Sequence, residues 1–335
     1  MRIVAKARFT RVFALFGALH SLACSSDAAP SSASAGSSGM AGTSGASGSG
    51  GASSNADAVV GSFITSLIGA TESDAAYTTV SGKVYDGATP LTVAWDLRSS
   101  SGGCQLLEPR APFCDPACSN GAVCVEDDQC VGYPTAQDLG PVVMKGLGDA
   151  DITMKPVASS YSLPGDLTLP YPPAAEGAAQ SVEVAGGPFG AFSIASKMVA
   201  PLVSEGTLTI SDGKPLDLDW NVPSDQTLAR MQIKIDISHH GGTKGKIECD
   251  VEDSGKLQVS AALISSLIQL GVAGFPSVSL MRVATGSAAI APGKVTFQVL
   301  SSATRVLVVS GVQSCNTASD CPTGKACKQD LTCEP

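Results

Sequence analysis

Strict alternation of apolar and polar residues marks several short segments of the chain. In "PLDLDWNV", Leu216, Leu218, Trp220 and Val222 alternate with polar residues, and "MQIKIDIS" (231–238) follows the same rule. A period of two places one face of a strand on a core and the other face in water. Both segments are therefore predicted to be half-buried β-strands.

Shorter apolar runs, separated by turn dipeptides such as "DG", "GG" and "PG", predict further strands. These strands are "VVGSFITSLIGA", "VSGKVY", "LTVAWDL", "VVMKGL", "ITMKPV", "KIECDV", "VTFQVL" and "RVLVVS". The first of them fits a helical period as well, and we interpret it as a strand. Many short strands with polar turns are typical of antiparallel β-sandwiches. The predicted fold class is therefore all-β.

One segment carries helical signals instead. "SAALISSLIQLG" begins with Ser260, a favourable N-cap, and its apolar residues Ile264, Leu267 and Ile268 recur at helical spacing. Gly271 follows as the kind of residue that ends helices. We expect one short helix in this part of the chain.

The N-terminus has the features of an export signal. Residues 1–23 combine a basic start with "VFALFGALHSLA", an apolar run too short to span a bilayer. The run ends in "SLAC", which resembles the lipobox of bacterial lipoproteins, in which the cysteine, here Cys24, is lipidated and becomes the mature N-terminus. Ser21 stands where the lipobox prefers leucine. The alternatives are cleavage by the ordinary signal peptidase near Ala28 and Ala29, and an uncleaved anchor.

Composition divides the rest of the chain. Residues 24–57 are almost all Ser, Gly and Ala, which cannot bury a core, and we interpret them as a flexible tether. The chain has 335 residues, 44% of them hydrophobic, which is enough for two folded domains. The predicted division is a β-domain at 58–157 with a Cys-rich insert at 104–131, a β-sandwich domain at 158–312 and a C-terminal Cys-rich module at 313–335.

The charge of the chain argues against polyanionic partners. Removing residues 1–23 leaves 17 basic against 30 acidic residues, a formal net charge of −13. Such a chain has no electrostatic reason to bind nucleic acid or an anionic lipid surface. No segment after the signal has eighteen uninterrupted apolar residues, so no transmembrane helix is predicted there. The expected contact with a membrane is the N-terminal lipid.

The cysteines contain a hidden repeat. "CSNGAVCVEDDQC" (118–130) aligns without gaps with "CPTGKACKQDLTC" (321–333), and both read C-x2-G-x2-C-x5-C. Each copy has one cysteine upstream, Cys114 or Cys315. Ten cysteines besides Cys24 in an exported chain indicate disulfides. The sequence therefore predicts two small disulfide-rich knots.

Spacing does not fix how these cysteines pair. We predict an interlaced pattern in both knots, with first joined to third and second to fourth. Cys104 and Cys249, the two cysteines outside the knots, are then left to pair with each other, although Cys104 could instead join the nearby knot. The predicted pairs are Cys114–Cys124, Cys118–Cys130, Cys315–Cys327, Cys321–Cys333 and Cys104–Cys249. A zinc site is the rival interpretation, but only Cys114 and Cys118 have the usual ligand spacing, and neither cluster contains a histidine.

His239 and His240 in "ISHHGG" are the strongest candidates for a catalytic or metal-binding role. Neighbours on a strand point to opposite faces, and the following glycines indicate a hairpin end. No triad can be assembled around them, and the folded part has no G-x-S-x-G or H-E-x-x-H motif. We therefore predict no catalytic residue, no metal ligand and no cofactor.

Two weaker patterns have ordinary explanations. "DVEDSG" (250–255) has Asp and Gly at positions one and six of a calcium loop, but Ala261 at position twelve, so a polar turn is predicted. Trp95 and Trp220 could line a sugar-binding platform. Because aromatic residues make up only 5% of the chain, we prefer core packing for both.

Several longer segments share a resemblance. The segments are "VSGKVYDGATP", "CQLLEPRAPFCDPACSNGAVCVEDDQC", "LPYPPAAEG", "DISHHGGTKGKIECDVEDSGKL" and "SCNTASDCPTGKACKQDLTC". Together they resemble a group of uncharacterised Cys-rich secreted lipoproteins of myxobacteria, over nearly all of residues 60–335. The resemblance implies a cell-envelope location and no enzyme activity, and it carries over no catalytic residue.

These observations lead to one hypothesis and two alternatives. The chain is expected to be an exported, lipid-anchored protein of the outer membrane or cell surface, with a non-catalytic binding or structural role toward an envelope protein or a glycan. The expected fold is an antiparallel β-sandwich with two disulfide-rich knots and one short helix. The alternatives are a secreted carbohydrate-binding module and a metal-dependent hydrolase centred on His239 and His240.

Overall fold

The structure is a computed structural model that describes residues 58–71 and 74–334. These residues lie within one compact unit, Ala46–Pro335. The predicted export signal, the predicted lipidation site Cys24 and the whole predicted tether lie outside the described residues.

Strands are the predominant regular structure of the described chain. They are β1 Val59–Ile68, β2 Tyr77–Val84, β3 Ala94–Ser101, β4 Cys104–Arg110, β5 Val123–Glu126, β6 Gln129–Val131, β7 Val142–Lys145, β8 Ile152–Met154, β9 Ser160–Ser162, β10 Ala179–Val184, β11 Phe192–Lys197, β12 Leu208–Ile210, β13 Leu216–Asp219, β14 Arg230–Asp236, β15 Lys246–Glu252, β16 Lys256–Val259, β17 Ser277–Ile290 and β18 Gly293–Val309. The helices are α1, Ala261–Gln269, and a single 3₁₀ turn at Ala318–Asp320. No helix in the described ranges is long and apolar enough to cross a membrane. The all-β prediction is confirmed.

The largest sheet has ten strands. Nine of them follow the order β3-β4-β15-β14-β17-β18-β1-β2-β9, and β12 pairs with the far end of β18. The pairs β1–β18 and β12–β18 are parallel, and the other pairs in this sheet are antiparallel. The sheet is therefore mixed, which differs from the purely antiparallel arrangement predicted. Parallel neighbours need a long connection, and more than two hundred residues separate β1 from β18.

A second layer covers one face of this sheet. The four-stranded sheet β11-β10-β7-β8 encloses a first core, in which Met144, Val182 and Ile194 meet Phe63 and Phe297 of the large sheet. The pair β13–β16 and helix α1 enclose a second core with β14, β15 and β17. This is a sandwich of unequal layers.

Both cores use the same face of the large sheet. β18 supplies Phe297 and Val299 to the first core and Leu307 and Val309 to the second, and all four are odd-numbered residues of one uninterrupted strand. Each core also combines strands from before and after residue 157. The predicted boundary between 157 and 158 therefore divides both sheets and both cores and does not separate two folded bodies.

Several predicted elements are found where the pattern placed them. β1, β2, β7, β8, β13, β14 and β15 coincide with predicted strands, and α1 has Ser260 as its N-cap, whose side chain accepts a hydrogen bond from the Leu263 N–H. The segments "VTFQVL" and "RVLVVS" are not two strands but parts of β18. β17 was not predicted, because its Ser, Gly and Ala residues weaken the alternation at its far end.

A buried polar network lies between the two cores. Arg282 pairs across the sheet with Ser301, between the residues of β18 that enter the first and second cores. Its guanidinium forms an ion pair with Asp253, which also accepts a hydrogen bond from Nε1 of Trp220 at 2.8 Å. The predicted core position of Trp220 is confirmed. The "DVEDSG" segment, predicted to be a polar turn, holds in Asp253 a fully buried carboxylate.

Candidate functional site

The described residues form five disulfides. They are Cys104–Cys249, Cys114–Cys124, Cys118–Cys130, Cys315–Cys327 and Cys321–Cys333, the same pairs as those predicted. Cys104 and Cys249 lie directly opposite each other on β4 and β15. Disulfides in this number are typical of an oxidising compartment.

Knot 1 (residues 114–130) and knot 2 (residues 315–333) have matching backbones. Asp128 and Leu331 occupy equivalent positions, and both have φ of 60°. The aligned Gly121 and Gly324 have φ of 73° and 84°, a region that glycine adopts without the steric cost that other residues incur. The repeat seen in the sequence is therefore also a repeat of local structure.

Two cysteine trios satisfy the distance condition for a metal cluster among the described residues. They are Cys114, Cys118 and Cys130, and Cys315, Cys321 and Cys327, whose sulfur atoms lie within 4.8 Å of one another. All six sulfur atoms are engaged in disulfides. Because the thiolate is the metal-binding form of cysteine, the oxidised knots offer no thiolate ligand.

The two knots are placed differently on the body. In knot 2, Cys315 and Thr332 are buried, and the Asp330 carbonyl accepts a hydrogen bond from the Gly274 N–H at 2.7 Å. Next to knot 1, in contrast, Phe113 is 71% exposed. Knot 2 is therefore packed against the rest of the fold, whereas the surroundings of knot 1 are exposed to solvent.

Two aspartates hold the turn of knot 1. Asp127 Oδ1 accepts a hydrogen bond from the Phe113 N–H, and Asp128 Oδ1 accepts one from the Asp115 N–H, both at 3.0 Å. Both aspartates are exposed, but each fixes a neighbouring backbone segment.

A groove of about 470 Å³ lies beside knot 1, and we call it the Trp95 groove. It is lined by loop 88–91, by Ala94, Trp95 and Asp96 of β3, by Arg110 of β4, by Val125 and Glu126 of knot 1, and by Val131 at the end of β6. Four separate stretches of sequence thus form one concave surface. Its volume falls within the usual range of ligand sites.

The loop wall of the groove is anchored by Asp86. Its Oδ1 accepts a hydrogen bond from the Thr135 N–H at 2.7 Å, and its own N–H donates to the Thr135 carbonyl at 3.1 Å. Gln137 Nε2 donates to the second carboxylate oxygen at 3.3 Å. These bonds tie the start of the loop to the segment that leaves knot 1.

Arg110 joins β3 to knot 1. Its guanidinium lies 2.6 Å from Glu126 Oε2, 3.4 Å from Asp96 Oδ1 and 3.5 Å from Asp127 Oδ1. The hydrogen bond to Glu126, followed by the charge of Glu126, raises the pKa of Arg110 above its ordinary value. A permanently charged guanidinium therefore fixes the knot against the hairpin β3–β4.

Trp95 forms part of the floor and is partly exposed. Lys246 Nζ lies 3.9 Å from the centroid of its ring, and the same ammonium is 2.7 Å from Glu248 Oε1. A cation over the face of an indole is attracted by the ring quadrupole, so this contact orients Trp95. The preferred core position is therefore wrong for Trp95, because β3 is an edge strand and only one of its sides is covered by a neighbouring strand.

The histidine pair lies elsewhere, in the turn between β14 and β15. β14 ends at Asp236, and His240 has φ of 64°, so the ring centroids of His239 and His240 are 3.9 Å apart. The expectation that the rings point to opposite faces is wrong, since these residues are not on a strand, whereas the hairpin end is confirmed. No described side chain forms a hydrogen bond or ion pair with either imidazole, so no carboxylate is placed to orient a base.

No model of a known protein family matches the chain. No curated protein matches it either.

Proposed function

We propose that this protein is a non-catalytic, lipid-anchored binding protein of the bacterial cell envelope, and that the Trp95 groove is its binding surface. One observation carries the proposal. A partly exposed tryptophan lies in a concave surface whose walls are a strand pair, an anchored loop and a disulfide knot. The residues before β1, with the lipobox-like "SLAC" and the Ser/Gly/Ala-rich tether, support the envelope location.

Rigidity supports a binding role for the groove. Two disulfides hold knot 1, Arg110 ties it to β3, and Asp86 ties down the loop. A surface that is ordered before binding loses less conformational entropy when a ligand arrives. Binding residues are also often carried on loops that a rigid scaffold positions.

The anchor is tested by fractionation. Wild-type protein is expected in the membrane fraction, and both Cys24→Ala and treatment with globomycin should move it to the soluble fraction or leave an uncleaved precursor. Absence of Asp after Cys24 favours the outer membrane over the inner membrane, so density-gradient separation should place the wild type with outer-membrane markers. A wild type with the same distribution and the same electrophoretic mobility as Cys24→Ala would contradict lipid anchoring.

The groove is tested by retention on native envelopes. Labelled Cys24→Ala protein is mixed with envelopes from cells that lack the gene, and the retained fraction is measured after sedimentation. Adding Trp95→Ala should weaken retention by at least about 10-fold, since aromatic anchors dominate binding surfaces. Tyr77→Ala, which removes another exposed aromatic residue, is the matched control and should retain wild-type binding. Equal retention of both variants would exclude the groove.

A glycan is the second candidate ligand. The observation in its favour is that Trp95 lies beside the carboxylates of Asp96 and Glu126, a combination that can stack on a sugar and hydrogen-bond its hydroxyl groups. A glycan array probed with wild type and Trp95→Ala tests it. Trp95-dependent binding to any oligosaccharide would favour this candidate, and an array without binding would remove it.

A further inference from the structure

Negative charge is in excess around the Trp95 groove. The guanidinium of Arg110 is shared by three carboxylates, those of Asp96, Glu126 and Asp127. One positive charge balances one of these, so two negative charges have no partner in this cluster.

The neighbouring cations do not supply the missing balance. Arg98 is paired with Glu108, and Lys246 is paired with Glu248. Each of these cations is matched by a carboxylate of its own. The surplus of two negative charges therefore persists when the surrounding ion pairs are included.

The unbalanced carboxylates are accessible to a ligand. The side chains of Glu126 and Asp127 are 57% and 71% exposed. The rest of the lining is mainly apolar, with Pro90, Leu91 and Val131 facing the same groove. The site thus combines apolar walls with an acidic rim.

Trp95 reinforces the preference for positive charge. The ring quadrupole of an indole attracts cations, as the contact with Lys246 illustrates, and that ammonium is itself paired with Glu248, so it leaves the acidic surplus unchanged. An indole and several carboxylates on one surface favour a ligand that carries both apolar groups and positive charge.

We infer that the Trp95 groove, if it is the binding surface proposed above, takes a basic peptide segment of an envelope partner. Lysine and arginine side chains have aliphatic stems that can lie on Leu91 and Val131 while their charged heads reach Glu126 or Asp96. An uncharged glycan would leave the two surplus charges unmatched, and an acidic ligand would be repelled by them.

Synthetic probes distinguish a basic peptide from an acidic peptide, a neutral peptide and a glycan as the ligand. The probes are blocked octapeptides in which valine alternates with lysine, with glutamate or with threonine, together with a hexasaccharide of β-1,4-linked N-acetylglucosamine. Binding to the Cys24→Ala protein is measured by calorimetry. The lysine peptide should bind at least about 10-fold more tightly than each other probe, and raising NaCl from about 0.05 M to 0.5 M should weaken it, because salt screens exposed charges.

Variants assign the binding to the groove. Glu126→Gln combined with Asp96→Asn should weaken the lysine peptide at least about 10-fold, and Trp95→Ala should abolish its binding. Glu205→Gln, which removes an exposed carboxylate from a loop outside the groove, is the matched control and should bind as wild type does. Unchanged unfolding temperatures verify that the variants remain folded.

The outcomes distinguish failure of this inference from failure of the proposed function. Trp95-dependent binding of the hexasaccharide without the lysine peptide would overturn the basic-peptide inference and leave the binding function intact. Envelope retention that depends on Trp95 but not on salt or on Glu126 would do the same. Loss of Trp95 dependence in both the probe and the envelope experiments would overturn both proposals.

Discussion

Arg282 and Asp253 form an ion pair in which neither side chain is exposed to solvent. Arg282 Nε lies 2.5 Å from Asp253 Oδ2, and Nη2 lies 3.2 Å from Oδ1. The remaining donors of the guanidinium reach the backbone carbonyls of Ala200, Pro201 and Asn221. The pair joins the large sheet to the segments that cover it, at the boundary between the two cores.

Replacement of Arg282 should destabilise the fold strongly. Arg282→Met would leave the carboxylate of Asp253 buried without a counter-charge, and breaking such a pair typically costs about 3–5 kcal/mol. Urea unfolding measures the free energy of unfolding. Arg230→Met is the matched control, because Arg230 pairs with Asp250 at the surface and should cost less than about 1 kcal/mol. Similar losses for the two variants would contradict this prediction.

The Cys104–Cys249 disulfide should stabilise the body more than any knot disulfide does. It joins residues 145 apart, and in the chain-entropy description a loop of that length contributes about 5 kcal/mol, against about 3 kcal/mol for 12 residues. Replacing both cysteines with alanine should lower the free energy of unfolding accordingly. The matched control is the pair Cys118→Ala and Cys130→Ala, which opens only knot 1. A larger loss of unfolding free energy in this control than in the Cys104 and Cys249 variant would contradict the prediction.

Gly286 is expected to be intolerant of any side chain. An ideal Cβ at this position would lie 1.8 Å from the Ala195 carbonyl oxygen, so β11 can approach β17 only because no Cβ is present. Gly286→Ala should lower stability by about 1–3 kcal/mol, the range of overpacking changes. Gly165→Ala is the control, since its Cβ would meet nothing within 4 Å. Thermal unfolding compares the two, and an unchanged midpoint for Gly286→Ala would count against close strand packing.

The His239 imidazole should titrate below its ordinary pKa of 6.5. Loss of hydration around the ring lowers this pKa first, and the charge of His240 lowers it further. Because the folded state disfavours the protonated form, the stability associated with His239 is complete above pH 6.5 and declines as the pH falls through the lower folded pKa. A proton NMR titration measures the shift.

Two variants test the direction in which the neighbouring charges of His240 and Asp236 shift the pKa of His239. His240→Ala should raise the pKa of His239 toward 6.5 without reaching it, because the loss of hydration remains. Asp236→Asn should lower it, since the charge of Asp236 acts in the opposite direction. A pKa of His239 above 6.5 in the wild type, or no response to either variant, would refute this account.

Local patterns in the sequence were sufficient to predict strands, the helix and the knots. The alternation around Ile233 and Leu218 places strands because side chains on a strand alternate between faces, and Ser260 caps α1 through a bond to a residue three positions away. The two copies of the C-x2-G-x2-C-x5-C spacing likewise span only thirteen residues each. Each of these signals depends on neighbours along the chain.

Only the tertiary structure decided which distant residues meet. Arg282 and Asp253, 29 residues apart, carry no periodic signal that could pair them, and the Trp95 groove is assembled from four separate stretches. Whether Trp95 is covered depends on the position of β3 at the edge of the sheet, which alternation along the strand does not encode. Strand order and long-range burial follow from the packing of whole layers. Local sequence patterns do not encode this packing, and for this physical reason they could not predict the Trp95 groove.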